Sequence, residues 1–347
     1  MTNFIAPDKL RLFVSDCYQA MGVDALAAAR VADTLVQADL WGHQSHGVMR
    51  LFWYAARIKS GAMNANAQPE IDGGFGAIAT MNGHAGMGQV IAHAAMTQAI
   101  ASAKEHGLGA VAVRNSGHFG TAMYFTRMAA QAGCLGFIST NASPAMAPWG
   151  GIKKRVGNNP WSWAAPAGRY APMMLDIANT AVARGKLYLA KQRGQTVPDT
   201  WAIDQDGNAT TDPATGIAGT LLPIAGHKGY AISTMMDVLS GILSGSRFGS
   251  TITGPYVPEG SSGVGHLVMA VDIKACRPLD AFNADMETLI ADLKATPRKP
   301  GVDEIFYPGE LEARADIEQN KTGISLPQDT KSTLRAQAKE IGVLAPF

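Results

Sequence analysis

The sequence predicts a mixed α/β protein. Three observations carry that prediction: helical periodicity at the start of the chain, short apolar runs from about residue 73 that alternate with helical patterns, and polar helical patterns towards the end. In the opening stretch Leu10, Phe13, Cys17 and Met21 recur on one face, and the run from Asp24 to Leu40 is rich in Ala, Leu and Val, so two helices are expected. From about Gly73 the runs Ala77–Met81, Ala110–Val113, Leu135–Thr140, Ser162–Ala165, Met173–Asp176 and Leu267–Asp272, bounded by Gly, Asn and Pro, read as strands. Helical patterns at Gln89–Glu105 and Thr121–Ala132 separate the first three, so propensity alone predicts a parallel β-α-β-α-β unit. Residues Arg193–Pro223 carry Asp, Gly, Thr and Pro without period, as in a long surface loop or lid over about 190–223. A helix is expected from Gly229 to Leu243, with Met235, Val238, Leu239 and Leu243 as its apolar spacing. Asp280–Ala295 and Gln328–Ile341 give two more polar helices, the last starting after Pro327. Nothing repeats at a fixed period.

A chain of 347 residues, 47% apolar and 16% charged, can bury one large core or two smaller ones. Its net charge of +1 gives no electrostatic reason to expect nucleic acid or an anionic membrane, because such binders concentrate Lys and Arg on one surface. A small-molecule partner is expected instead. No apolar run reaches the roughly 20 residues that span a bilayer, and the start, Met1-Thr2-Asn3-Phe4-Ile5-Ala6-Pro7, lacks the charged and apolar regions of a signal peptide. The expected location is the cytoplasm. Cys17, Cys134 and Cys276 are odd in number and far apart, which suits neither disulfides nor a metal knuckle; they read as small buried hydrophobes.

The most informative segment runs from Gly42 to Tyr54. If it is helical from His46, then Met49, Phe52, Trp53 and Ala56 form an apolar stripe, and His46, Arg50 and Tyr54 follow one another at i+4 on the other side. An imidazole can hand a proton to a developing alkoxide, a guanidinium fork matches a carboxylate, and a phenol donates a third hydrogen bond. Reduction of a 2-oxo acid needs those three groups, although the solvated face of any amphipathic helix has the same spacing. Arg114-Asn115-Ser116-Gly117-His118-Phe119-Gly120 follows a predicted strand, where His118 can face a ligand or serve as a structural histidine. The turn-rich stretches Thr140–Gly151 and Gly157–Pro160 make a rigid wall around Trp149, suited to a planar ring or to a dimer contact. Asp176 ends a strand before Asn179 and Thr180, as a partner for a histidine or a ribose hydroxyl, or as a plain helix cap. Gly226-His227-Lys228-Gly229-Tyr230 opens a helix with a cation that can meet phosphate or carboxylate.

The dinucleotide glycine fingerprint is missing. Gly83-His84-Ala85-Gly86-Met87-Gly88 has its glycines in the wrong order, and Gly263-Val264-Gly265 lacks the third. A nicotinamide cofactor, if bound, is held without a Rossmann turn. His43, His46, His118 and Asp176 show none of the spacings of a zinc site, so no metal is expected.

Taken in order, these segments resemble the type 2 malate/L-lactate dehydrogenase family, which includes ureidoglycolate and sulfolactate dehydrogenases, 2,3-diketogulonate reductase and piperideine-2-carboxylate reductases. The likeness spans nearly the whole chain. It rests on Ser45-His46-Gly47-Val48 with Arg50, on Asn141–Gly151, on Ala183-Arg184-Gly185-Lys186 after Asp176, and on Gly226–Tyr230. The resemblance implies a non-Rossmann NAD(P)-binding domain with a large mixed, mainly antiparallel sheet (74–274), and a helical domain built from both chain ends (1–73 with 275–347). That expectation contradicts the parallel unit and agrees with the missing fingerprint. It also implies a homodimer.

By position, His46 resembles the proton donor to the substrate carbonyl, with Ser45 beside it and Asp176 as a relay or orienting partner. Arg50 resembles the carboxylate clamp, and Tyr54 and His118 further substrate contacts. Asn141, Asp176, Asn179, Thr180, His227, Lys228, Gly309 and Glu310 resemble the cofactor side. The chain departs from the family at Gln44, where relatives have Asp, at Asn179-Thr180 after Ile177-Ala178, and at Asn158, with Trp161 and Trp163 following. Both NAD and NADP therefore stand as cofactors. The expected reaction is hydride transfer between nicotinamide and a small 2-oxo or 2-hydroxy carboxylate, with reduction of a cyclic ketimine carboxylate as the alternative. A non-catalytic ligand-binding protein on the same scaffold and a metal-dependent hydrolase are the rivals of other classes.

Overall fold

The computed structural model describes residues 4–347, so Met1, Thr2 and Asn3 of the opening segment lie outside the described residues. The chain begins with α1 (Pro7–Ala20) and α2 (Ala25–Leu40). Pro7 presets the first turn of α1, and the Asp24 carboxylate caps α2 by accepting the N–H groups of Leu26 and Ala27 at 2.9 and 3.2 Å. The continuous helix expected from His46 does not form. Two single 3-10 turns, Gln44–His46 and Val48–Arg50, meet at Gly47, whose backbone is extended, and α3 starts only at Leu51 (Leu51–Lys59). Its core face is Leu51, Tyr54 and Ala55 rather than the predicted stripe, and Met49 is exposed.

There follow β1 (Glu70–Phe75), β2 (Ile78–Asn82), α4 (Gly88–His106), β3 (Leu108–Ser116), α5 (Met123–Gln131), β4 (Cys134–Thr140), β5 (Trp161–Ala167) and β6 (Tyr170–Ile177). Next come α6 (Arg184–Gln192), β7 (Ala202–Ile203), α7 (Pro213–Ala218), β8 (Thr220–Leu221) and α8 (His227–Asp237). Last are β9 (Val264–Asp272), α9 (Leu279–Ala295), α10 (Glu310–Thr322) and α11 (Gln328–Glu340). The stretch read as a featureless loop thus carries a short hairpin and a helix, packed with α6 around Leu187, Ala202, Leu221 and Met146.

The main sheet has the order β1-β2-β3-β9-β4-β5-β6. Only β2 and β3 pair in parallel, with Ile78 opposite Ala110 and α4 as the crossover. The predicted parallel unit is corrected at its next step. β9 lies between β3 and β4 and is antiparallel to both, placing Leu267 opposite Ala112 and Met269 opposite Phe137. Both β3 and β4 oppose β9, so they point the same way, as the alternating pattern requires; what the local pattern cannot reveal is a strand inserted from far down the chain. The sheet is mainly antiparallel.

α4 and α5 cover one face of the sheet, packing Ile91, Ala95, Met96 and Phe125 against Val111, Val113, Ile138 and Val268. The opposite face meets Met236 and Leu239. Of the apolar spacing predicted for 229–243, Leu239 does pack on the sheet, but Met235 and Leu243 are exposed, because the buried side of α8 and the turn after it is largely polar: Ser233 donates to the Gly157 carbonyl and Ser240 meets Ser139. A second core joins Leu10, Phe13, Val31, Leu35 and Tyr54 to Ile324 and Leu334, so both chain ends build it. Cys17 and Cys134 are buried as expected, whereas Cys276, just past a surface turn, is exposed. No helix among the described residues is long and apolar enough to cross a membrane.

Candidate active site

Where the two cores meet, the turn at 44–50 faces the loop that follows β3. Ser45 Oγ lies 2.9 Å from His46 Nδ1. The His46 ring stacks on that of His118, with centroids 5.8 Å apart and planes 22° from parallel. Tyr54, fully buried on α3, puts its hydroxyl 2.6 Å from His118 Nδ1, and the N–H of Gly120 reaches the same nitrogen at 3.2 Å. A backbone N–H can only donate, so Nδ1 is an acceptor, the Tyr54 hydroxyl donates to it, and the proton of the neutral ring sits on Nε2. The His118 loop is pressed against α4: a Cβ at Gly88 would fall 2.3 Å from the Gly117 carbonyl and 2.6 Å from that of His118. That contact gives the glycine of 83–88 a packing purpose in place of a phosphate-binding one.

Arg50 completes the group. Its Nε donates to the Ser45 carbonyl at 2.6 Å, and its guanidinium carbon stands 4.0 Å from the Trp53 ring centroid and 5.4 Å from that of Tyr256. Nη1 is buried and donates to nothing among the described residues. A buried guanidinium N–H without a partner costs free energy that an incoming anion recovers.

The electrostatics follow from this packing. Burial, then the Arg50 charge and then His43, lower His46 to about 3, while its partial exposure keeps the ring in touch with solvent. His118 is held well below the usual histidine range by burial, Arg50, His46 and His266. Burial pushes Tyr54 up to about 12, against the pull of Arg50. At neutral pH the site therefore holds two neutral imidazoles, a protonated phenol and one fixed positive charge.

The structure brings Ser45, His46, Arg50, Tyr54 and His118 together; it does not join Asp176 to them by a hydrogen bond. Asp176 Oδ2 accepts the Met123 N–H at 2.9 Å, which makes it a cap of α5. Burial raises its pKa, and the ionisable side chains acting on it are His43, which lowers it, and Glu312, which raises it. His43 Nε2 is 3.3 Å from Glu312 Oε1. Several cofactor-side residues have their side chains engaged within the chain. Asn141 donates to Asp237 and to the Arg247 carbonyl and accepts from Gly265 N–H. Asn179 bonds to the carbonyls of Asn158 and Asn159 and to the Trp161 indole. Glu310, adjoining Gly309, is gripped by Lys294 at 2.7 and 2.8 Å and by Arg314 at 2.6 Å. Thr180 is buried in a bridge to Pro223. His227 and Lys228 are exposed in the first turn of α8, with the His227 ring 6.0 Å from Trp149 at the edge of a groove of about 410 Å³ lined also by Trp201 and Pro223.

Four features have no counterpart in the sequence reading. Gln89, fully buried at the start of α4, has neither amide atom hydrogen-bonded among the described residues, yet lies close enough to act on the Tyr54 hydroxyl. Buried His266 on β9 bridges Ser116 at 2.7 Å and Thr140 at 2.9 Å, tying the loops of His118 and Asn141 together. Arg57 holds the carbonyls of Val257 and Gly260 and the Ser262 hydroxyl, which seats Tyr256 over Trp53. Asp39 lies beneath Gly47. A fully buried polar group needs its partner from a distant segment, and no local pattern announces that. Among the described residues no group of His, Cys, Asp and Glu could hold a metal ion.

The model of the malate/L-lactate dehydrogenase family matches residues 5–335. The malate dehydrogenase of Pyrococcus horikoshii is 36% identical over 98% of this chain and 96% of its own, and the solved malate dehydrogenase of that organism superposes with a TM-score of 0.90 over 98% of this chain and 96% of that one, at 34% identity. The NAD(+) ureidoglycolate dehydrogenase of Escherichia coli K12 is 33% identical over 92% of this chain and 90% of its own. The NADP(+) (2R)-3-sulfolactate dehydrogenase of Chromohalobacter salexigens is 34% identical over 97% and 99%.

Proposed function

The chain belongs to the malate/L-lactate dehydrogenase family, and from that premise we propose that it is an NAD(P)-dependent oxidoreductase interconverting a small 2-oxo acid and its 2-hydroxy acid. The observation that carries the reading is the Arg50 guanidinium, with Nη1 buried and unpartnered beside two neutral imidazoles. A carboxylate on Arg50 brings the adjacent carbon and its oxygen to the His46–His118 pair.

His46 is the residue assigned to move the proton. In oxidation the neutral imidazole takes the hydroxyl proton; in reduction the protonated ring gives one to the former carbonyl oxygen. Substrate binding favours the second state. The Arg50 charge helps to hold His46 down to about 3, and a carboxylate paired with that charge cancels it, so the imidazole gains affinity for a proton when substrate is in place. Ser45 orients the His46 ring through Nδ1, and His118 offers its Nε2–H to the same oxygen, fixed in that tautomer by Tyr54 and Gly120.

The cofactor side fits a dinucleotide. His227 and Lys228 are exposed at the start of an eleven-residue helix, where a diphosphate is favoured, beside the indole-lined groove that suits a flat ring. When bound, NAD(P)H supplies the hydride to the 2-oxo carbon. Asp176, Thr180 and Gly309 belong to the same side in this reading, with Asn141, Asn179 and Glu310 contributing through the backbone they hold in place.

The proposal includes a division into 1–73 with 275–347 and 74–274, and a homodimer in the cytoplasm. Ile232, Met235, Ile242 and Leu243, exposed along one stretch, support self-association. The test is absorbance at 340 nm with NADH and then NADPH against a panel of 2-oxo acids and cyclic imine carboxylates. Oxidation of either nucleotide with a 2-oxo acid is the expected result. Turnover of the imines alone would move the substrate class to ketimines, and a folded protein that binds neither nucleotide would refute the reading.

A further inference from the structure

Asp39, the penultimate residue of α2, lies directly beneath the turn that carries Ser45, His46 and Arg50. It is 1% exposed. Its Oδ2 accepts the Val48 N–H at 2.8 Å, and its Oδ1 has no partner among the described residues. The carboxyl fills the volume that a side chain at 47 would need: a Cβ there would fall 2.0 Å from Oδ1, 2.3 Å from Cγ and 2.4 Å from Oδ2. Its carbonyl accepts the Gly42 N–H at 2.9 Å and the Gln319 amide from α10 at 3.2 Å. One buried residue therefore fastens both ends of the turn, at 42 and at 48.

The consequence concerns the two groups assigned above to proton transfer and carboxylate binding. His46 ends one 3-10 turn and Arg50 ends the next, and the extended Gly47 between them sets their relative direction. The extended backbone at Gly47 interrupts the regular helix from His46 that would place Arg50 one turn further along a single face, and the Val48 N–H bonded to Asp39 holds the chain in that interrupted course. We propose that Asp39 is a positioning residue for the reaction, setting the separation of the His46 imidazole from the Arg50 guanidinium, and that it works only with glycine at 47. The inference rests on the roles given to His46 and Arg50 under the proposed function. Burial raises the carboxyl to about 8, so at neutral pH it carries a proton and puts no competing negative charge beneath the guanidinium.

The experiment compares Asp39→Asn, Asp39→Ala, Gly47→Ala and the double Asp39→Ala/Gly47→Ala in the whole enzyme. Each is read by kcat, by KM for the 2-oxo acid, by KM for the nicotinamide nucleotide and by amide hydrogen exchange over residues 42–50. Asp39→Asn keeps an acceptor for Val48 and most of the turnover. Asp39→Ala and Gly47→Ala each lower kcat/KM for the acid by about 10²-fold, the scale of a misplacement near 1 Å, with the nucleotide KM unchanged. The double variant loses no more than the worse single, because the methyl at 47 enters the space left by the carboxyl. A folded Asp39→Ala enzyme with wild-type kcat/KM, or losses that multiply in the double variant, would overturn the proposal. If the alanine variants do not fold, Asp39→Asn decides: a loss as large as 10²-fold in that isosteric variant overturns it. Hydrogen exchange separates this inference from the proposed function. Should the wild type turn over nothing, unchanged protection at 44–50 in Asp39→Ala or Asp39→Ser still refutes Asp39 as the fastener, and faster exchange there with α2 still protected upholds it.

Discussion

The carboxyl of Asp39 sets a pH dependence of stability that one substitution removes. Its pKa rises from the ordinary 3.8 to about 8, chiefly through burial, with the Val48 N–H acting in the other direction. The folded state therefore holds a proton that the unfolded chain has given up. For an acid raised on folding, the stabilisation is whole below the unfolded pKa and is lost as the pH climbs to the folded one. Each pH unit is about 1.4 kcal/mol, so between pH 5 and pH 8 Asp39 removes on the order of 4 kcal/mol from wild-type stability. In Asp39→Asn that loss does not occur. The Asn amide nitrogen takes the place of the unpartnered Oδ1 and adds a penalty, but one independent of pH, so the slope is the test and the offset is not. The assay is urea unfolding of both proteins at half-unit steps from pH 5 to pH 9, followed by fluorescence. Subtracting one curve from the other cancels the contributions of His46, His93, His118 and His266, all of which titrate in both. The variant should gain on the wild type steadily up to about pH 8 and then run parallel to it. A difference that stays constant across the range would show that Asp39 ionises normally and is not sealed beneath Gly47.

Arg50→Lys keeps the charge but loses the planar fork and its seat on Trp53, and should lower kcat/KM for 2-oxo acids by about 10²-fold; near-normal kinetics would mean that the carboxylate is held elsewhere. His46→Ala should lower kcat by roughly 10²–10⁴-fold, the range of a positioned acid or base, and wild-type turnover in that variant would remove His46 from the mechanism. Lys294→Met leaves the largely buried Glu310 with Arg314 and the Tyr307 N–H, and should destabilise the protein by about 1–2 kcal/mol at pH 7. Glu310 is held below the usual carboxylate range by Lys294 and Arg314 against burial, so its stabilisation is present above the unfolded pKa and lost as the pH falls. The gap between wild type and Lys294→Met should accordingly close towards pH 3, and a gap that widens there would contradict the pairing.

The fold was legible in the sequence wherever one segment's own period decided its structure. The helices at the start, α4, α5, α9 and α11, and the strands from β2 to β6, all declare themselves by local spacing of apolar residues. Other features did not, among them α6, α10 and the short elements of 193–223, and three of them show why. The insertion of β9 between β3 and β4 is a long-range pairing, and nothing in Leu267–Asp272 says which neighbours it takes. The buried side of α8 is Ser233 and Asp237, followed by Ser240, each satisfied by a partner from another segment, so the apolar spacing of Ile232 and Met235 marks the outside of the helix. The strand β1 is exposed along its whole length and has no apolar signature to find.

At the site, the spacing of His46, Arg50 and Tyr54 picked out residues that do converge, but the helix invoked to bring them together is absent. They converge because the backbone breaks at Gly47 and because Tyr54 turns inward to His118, 64 residues away, a contact that spacing cannot reveal. Resemblance to a family reached further, to residues whose internal roles only the structure displays. It transfers a residue with its position, not with its reason, and Asn141, Asn179 and Glu310 show the difference, since each spends its polar atoms on holding a loop or a helix start. Side chains already satisfied inside the chain gain little from a ligand, whereas Arg50 Nη1 and Asp39 Oδ1 are buried with no hydrogen-bond partner among the described residues. Unmet hydrogen-bonding capacity is not confined to the site, since Asn283 on α9 and Gln337 on α11 carry it as well; it becomes informative at Arg50 because the unpartnered group there is a charged donor beside the His46–His118 pair.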